Sequence, residues 1–306
     1  MKYKLLVLDV DGTLLNKEKE ISPRTLSTLL KIQQMGVRIV LASGRPTFGI
    51  RPIALKLELD KNDGFILSYN GGQIISMQKE ELLFEKRINP EMLAYLEKKA
   101  TESGFDVFTY HQDKIYTNNP FNEYITREAH INRMGVLSFE HLAPHIDFAP
   151  CKFMIAGKRE DHLIKLEQHW KKRLNGVLDV FRSEPYFLEV VPNFIDKANT
   201  LGVLLEKLSV KPEEVMAIGD GVCDFSMIQL AGLGVAMGNA QDSVKACADI
   251  VTTSNDEDGV ALAVENNILA EIHPSEIPLD ELNARARRAL MGNLGIQYAY
   301  ASDKRI

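Results

Sequence analysis

Leu5-Leu6-Val7-Leu8-Asp9-Val10-Asp11-Gly12-Thr13 is the stretch that decides how this chain is read. Four consecutive apolar residues read as a strand buried on both faces, as in the interior of a parallel sheet. The strand opens into a glycine-containing loop with two carboxylates two residues apart. Such a pair can share one cation and one reacting phosphate, one group attacking while the other handles protons. A solvated acidic turn is the plain alternative, and the rest of the chain weighs against it.

Downstream, Ser22-Pro23 is a helix start, with Ser22 as N-cap and Pro23 in the first helical position. Gly36 ends that helix, and Val37-Arg38-Ile39-Val40-Leu41 is a second strand, so the first 42 residues form a βαβ unit with a right-handed crossover. A helix to about Leu59, the strand Phe65-Ile66-Leu67 and the turn signal Tyr69-Asn70-Gly71-Gly72, which opens a hairpin, follow. From about Leu83 the pattern changes to short strands and amphipathic helices, with a helix start at Asn89-Pro90 and a hairpin expected at Val177–Arg182 and Phe187–Val191. After Pro192 the βα alternation resumes, with a helix from about Lys197 and strands at Val215–Ile218, Gly234–Ala236 and Ile250–Thr252. The expected architecture is α/β, a doubly wound, Rossmann-like parallel sheet at residues 1–82 and 191–270. An inserted α+β cap domain is expected at 83–190, and 271–306, with an Arg-rich helical stretch at Leu282–Met291, read as an appendage.

The 306 residues are 45% hydrophobic and carry a net charge of −6, which argues against a broad nucleic-acid footprint. An anionic substrate must then be attracted locally. Three scattered cysteines, Cys151, Cys223 and Cys247, predict free thiols and no disulfides. The N-terminal apolar run stops at Asp9, too early for a signal peptide, and no segment reaches a membrane span. A cytoplasmic protein without membrane or nucleic-acid partners is expected; oligomeric state is not legible.

In open α/β sheets ligands bind outside the carboxyl ends of the strands. The first strand delivers Asp9 and Asp11 there. The second delivers Ser43, Gly44 and Arg45, a hydroxyl and exposed amides suited to phosphate. The strand at Val215–Ile218 delivers Asp220, Cys223 and Asp224 in a Gly-rich turn, and Lys197 adds a positive charge at a helix start. Taken singly, Ser43 and Asp224 could be helix caps and Lys197 a solvated helix residue. Together they converge on one sheet edge. Several carboxylates at one point repel unless a cation joins them, and all-oxygen ligation selects a hard divalent ion, Mg²⁺ first. His141 and His145 straddle Pro144 and are read as surface residues, and Trp170 as the apolar anchor of an amphipathic helix.

These motifs, DVDGTLL at 9–15, ASGR at 42–45, GDG with Asp224 at 219–224 and AMGNA at 236–240, resemble the haloacid dehalogenase superfamily, in its Cof-type branch with a large α/β cap. The resemblance implies Asp9 as nucleophile and Asp11 as general acid/base. It implies Mg²⁺ held by Asp9, the main-chain carbonyl of Asp11 and Asp220, and phosphate held by Val10, Ser43, Gly44 and Lys197. Thr13, Arg45, Cys223, Asp224 and Asn239 are supporting candidates. Two positions depart from the pattern: Cys223 stands where an asparagine is usual, and Ala198 follows the lysine where glycine is usual. The implied activity is a Mg²⁺-dependent phosphatase that hydrolyses small phosphate monoesters, sugar phosphates or related metabolites, through an aspartyl-phosphate intermediate. A phosphosugar mutase, or a phosphometabolite-binding regulator with little turnover, is the alternative.

Overall fold

The computed structural model describes residues 2–270; the helical stretch expected at Leu282–Met291 lies outside them. Strands β1 (Leu5–Leu8) and β2 (Arg38–Ala42) flank helix α1 (Pro23–Gln34), and α2 (Thr47–Lys56) leads to β3 (Phe65–Ser68), β4 (Gln73–Ser76) and β5 (Glu81–Glu85). Next come α3 (Leu93–Glu102), β6 (Asp106–His111), β7 (Lys114–Thr117), α4 (Glu123–Asn132), β8 (Gly135–Ser138), β9 (Phe153–Ala156), α5 (Glu160–Arg173), β10 (Leu178–Glu184) and β11 (Phe187–Pro192). The chain closes with α6 (Lys197–Leu208), β12 (Val215–Gly219), α7 (Phe225–Leu230), β13 (Leu233–Ala236), α8 (Asp242–Cys247), β14 (Ile250–Val251) and α9 (Gly259–Val264).

The larger sheet runs β14-β13-β12-β1-β2-β3-β4-β5, parallel from β14 to β3 and antiparallel through β4 and β5. Its strands are apolar on both faces because both are covered. Leu6 and Leu8 join Ile39, Leu41, Met216 and Ile218 in one core cluster, while Leu5 and Val7 join Val40, Ala42, Val215 and Ala217 in another. The α1 start is as expected: Ser22 Oγ accepts from the Thr25 N–H at 3.1 Å, and Gly36, at φ +90°, supplies the left-handed residue that ends the turn.

A second sheet, β10-β11-β9-β6-β7-β8, comes from the inserted stretch, extended two residues past 190 by β11. Trp170 is fully buried in its core, as read from the sequence. Strand β5 crosses the boundary expected at 82/83 and pairs with β4, whereas β11 runs to Pro192 in the second sheet. The edge strand β8 had no readable pattern, since three of its four residues are exposed. His145 stacks on Phe139, ring centroids 4.3 Å apart. Among the described residues, no helix is long and apolar enough to cross a membrane.

Candidate active site

In register, Leu8 lies between Leu41 and Ile218, so the segments that leave β1, β2 and β12 emerge side by side. Asp9 follows β1 directly, and its N–H donates to Ile218 O at 3.0 Å. Asp196 caps α6 by accepting from the Asn199 N–H at 2.8 Å, which places Lys197 in the first helical position. From there the fully buried Lys197 Nζ donates to Asp9 Oδ1 at 2.6 Å and to Asp224 Oδ1 at 2.5 Å. The other oxygen of Asp224 accepts the N–H groups of Asp220 and Gly221 at 3.1 and 2.9 Å, folding the 219–224 turn around itself. Asp220 Oδ1 accepts from Thr13 Oγ1 at 2.8 Å. Gly12 is required here: at φ +85°, a Cβ would stand 2.4 Å from Asp220 Oδ2.

One ammonium thus faces three carboxylates. Burial, then the charge of Asp224, push the Asp9 carboxyl well above its ordinary range, against the pull of Lys197. Burial also pushes Asp220 up to about 6, with Asp224 adding to it and the Thr13 bond opposing it. Burial would lower Lys197, but Asp224 and Asp9 outweigh it and hold the ammonium charged. Oxygens of Asp9, Asp220 and Asp224 lie within 4.8 Å of one another, an acidic triad that could hold a metal ion. Because both oxygens of Asp224 are engaged, Asp9 and Asp220 are the two with capacity to spare. A hard divalent cation fits this donor set.

Asp11 is elsewhere engaged. Arg45 grips it with two bonds, Nε to Oδ2 at 2.6 Å and Nη2 to Oδ1 at 2.7 Å, and Lys19 Nζ adds a third at 2.8 Å. Although burial pulls the other way, these partners bring its carboxyl down to about 2. In this arrangement Asp11 is a fixed carboxylate with no proton to give near neutral pH. Lys19 had no sequence signal, because a loop lysine eight residues from Asp11 looks like any solvated one.

Val10 is buried, and Ser43 is nearly so. The Arg45 N–H donates to Ser43 Oγ at 3.2 Å, leaving the hydroxyl's own proton for another acceptor. Asn239 serves the loop from behind: its Nδ2 donates to Gly12 O at 2.8 Å and its Oδ1 accepts from the Asn255 N–H at 3.1 Å. Cys223 is exposed at the cleft, its Sγ 3.9 Å from Asp224 Oδ1, and the desolvating cleft walls push its thiol up, so it stays protonated. Ser43 and Cys223, together with Asp9, Asp11, Lys197 and Asp220, line one cleft of about 1260 Å³, which Tyr124, Arg127 and Glu189 of the inserted stretch also line.

Residues 6–264 match the family model of the haloacid dehalogenase-like hydrolases. The chain belongs to that family. It is similar to a haloacid dehalogenase-like hydrolase from Bacteroides thetaiotaomicron of known structure, with 49% identity and a TM-score of 0.83 over 87% of this chain and 99% of that one. It is 33% identical to the 5-amino-6-(5-phospho-D-ribitylamino)uracil phosphatase YcsE of Bacillus subtilis, over 87% of this chain and 96% of the relative. A solved subclass IIB sugar phosphatase of the superfamily matches with a TM-score of 0.73 at 25% identity, over 86% of this chain and 98% of that one. The α/β fold with a cap is that of these hydrolases, and the kinship is with phosphatases.

Proposed function

We propose that this hydrolase is a Mg²⁺-dependent phosphatase of small phosphate monoesters, sugar phosphates or related metabolites, working through an aspartyl-phosphate. The observation that carries the reading is the buried Asp9 beside Lys197 and Asp220 at the C-terminal edge of the large sheet. Asp9, Asp220 and the main-chain carbonyl of Asp11 would hold Mg²⁺, which when bound offsets the negative charge gathered by phosphate and carboxylates. Ser43 Oγ, the Gly44 N–H, the main chain at Val10 and Lys197 bind the phosphoryl oxygens.

Asp9 then bonds to phosphorus as the bond to the leaving oxygen breaks. Asp11 supplies that oxygen with a proton, and later takes one from the water that attacks the aspartyl-phosphate, which returns Asp9 and frees phosphate. For Asp11 to carry a proton, Arg45 must let go of it. The incoming phosphate dianion offers the guanidinium an equivalent pair of acceptors. The inserted sheet and its helices act as the cap that closes over this site.

A phosphate-release screen across a panel of phosphate monoesters with Mg²⁺ tests this reading. Release from an aryl phosphate and at least one sugar phosphate is expected. Binding without release would favour the regulator, and isomerisation of a hexose phosphate without release the mutase.

A further inference from the structure

The loop after β2 is held by its carbonyls. Ser43 O accepts from the Asn70 N–H at 3.0 Å, and Arg45 O from the Tyr69 N–H at 3.0 Å, both donors from the turn after β3. The carbonyl between them, Gly44 O, accepts at 2.9 Å from Lys152 Nζ, which sits 108 residues away on the inserted sheet, just before β9. Lys152 is 3% exposed, and its charge is met by Glu189 of β11, likewise buried, at 2.9 Å. The same oxygen of Glu189 accepts from Asn70 Nδ2 at 3.2 Å. The Asn70 amide in turn lies 3.0 Å from where a Gly44 Cβ would be, so glycine is what lets it pack under the loop.

Each bond acts on a peptide unit that faces the cleft. Tying Gly44 O fixes the peptide whose N–H, at Arg45, donates to Ser43 Oγ, and so holds the serine oxygen while its own proton stays available to another acceptor. Asn70 holds the preceding peptide by Ser43 O, while its N–H, at Gly44, makes no hydrogen bond among the described residues. We propose that Lys152 and Glu189 are positioning residues. From the inserted domain they align the Ser43–Gly44 cradle, so that full phosphate affinity exists only when that domain sits over the core. This inference rests on the phosphatase reading of the same site, and it differs from a role in reading the leaving group: its effect must appear with any phosphate, however small.

The test compares wild type with Lys152→Met in two assays with Mg²⁺: titration with orthophosphate, and kcat/KM for an aryl phosphate and a sugar phosphate. Loss of one charge-assisted hydrogen bond and of the loop order it imposes should weaken orthophosphate binding about ten- to a hundredfold. It should lower kcat/KM for both substrates alike. Lys152→Arg, which keeps a donor, should recover part of the loss, and in a Ser43→Ala background Lys152→Met should cost much less than alone. If Lys152→Met does not fold, Glu189→Gln takes its place, with several-fold weaker orthophosphate binding expected. Unchanged orthophosphate binding, a loss confined to the sugar phosphate, or full additivity with Ser43→Ala overturns the proposal. If wild type binds orthophosphate but turns nothing over, the phosphatase reading falls while the binding arm still decides this one; if it turns both substrates over without binding orthophosphate, the phosphatase reading stands and an unchanged kcat/KM in Lys152→Met overturns this one.

Discussion

Asp220→Asn should make the metal-free protein more stable at neutral pH while abolishing its catalysis. Asp220 is pushed from 3.8 up to about 6 by burial and the charge of Asp224, so the folded state binds its proton more tightly than the unfolded state does. The stability this gives is present below about pH 4 and is lost as pH rises through about 6, where ionisation inside the acidic cluster becomes a cost. The gap between 3.8 and about 6 corresponds to about 3 kcal/mol, and solvent reaching the partly open carboxylate reduces it to about 2 kcal/mol. Asparagine cannot ionise, keeps the Thr13 bond through its carbonyl oxygen, and removes one charge facing Asp9.

Thermal unfolding in excess chelator is the assay. At pH 7 the variant should melt about 4–8 °C above wild type, and the difference should close as pH falls to 4. Asp11 does not interfere, because its carboxyl, brought down from 3.8 to about 2 on folding, contributes to wild type and variant alike and leaves their difference unchanged. Adding Mg²⁺ should raise the wild-type melting temperature far more than the variant's. A variant no more stable than wild type at pH 7 without metal, or a difference that persists at pH 4, would refute the reasoning.

Asp9→Asn should reduce turnover of an aryl phosphate at least a thousandfold with an unchanged circular dichroism spectrum, since an amide of equal size cannot attack phosphorus; activity within tenfold of wild type removes Asp9 as nucleophile. Cys223→Asn should tighten orthophosphate binding about threefold to tenfold, because an amide donates where a protonated thiol scarcely does, and no change in affinity would show that position 223 does not touch phosphate. Gly12→Ala, strained at φ +85° and driven into Asp220, should destabilise the fold by about 1–2 kcal/mol and weaken activation by Mg²⁺ tenfold or more, as read from the Mg²⁺ dependence of the rate.

What the sequence discloses of this site follows from what a strand end can encode. Leu5–Leu8 and Val37–Leu41 are apolar on both faces, which requires covered parallel strands. Parallel strands in register place Asp9, Ser43 and Asp220 on one edge without any knowledge of side-chain geometry. Arg45 was visible as a residue of that edge, yet its two bonds to Asp11 were not, because a guanidinium after β2 could as well have faced the phosphate. That difference is chemical: it makes Asp11 a fixed carboxylate until something displaces Arg45. Lys152 and Glu189 lay beyond reach for another reason. No local pattern marks a buried lysine whose partners are a carbonyl 108 residues away and a carboxylate 37 residues away. A charged pair without a periodic apolar context reads as surface, and only its burial and its bond to Gly44 O turn it into a link from the inserted domain to the loop after β2.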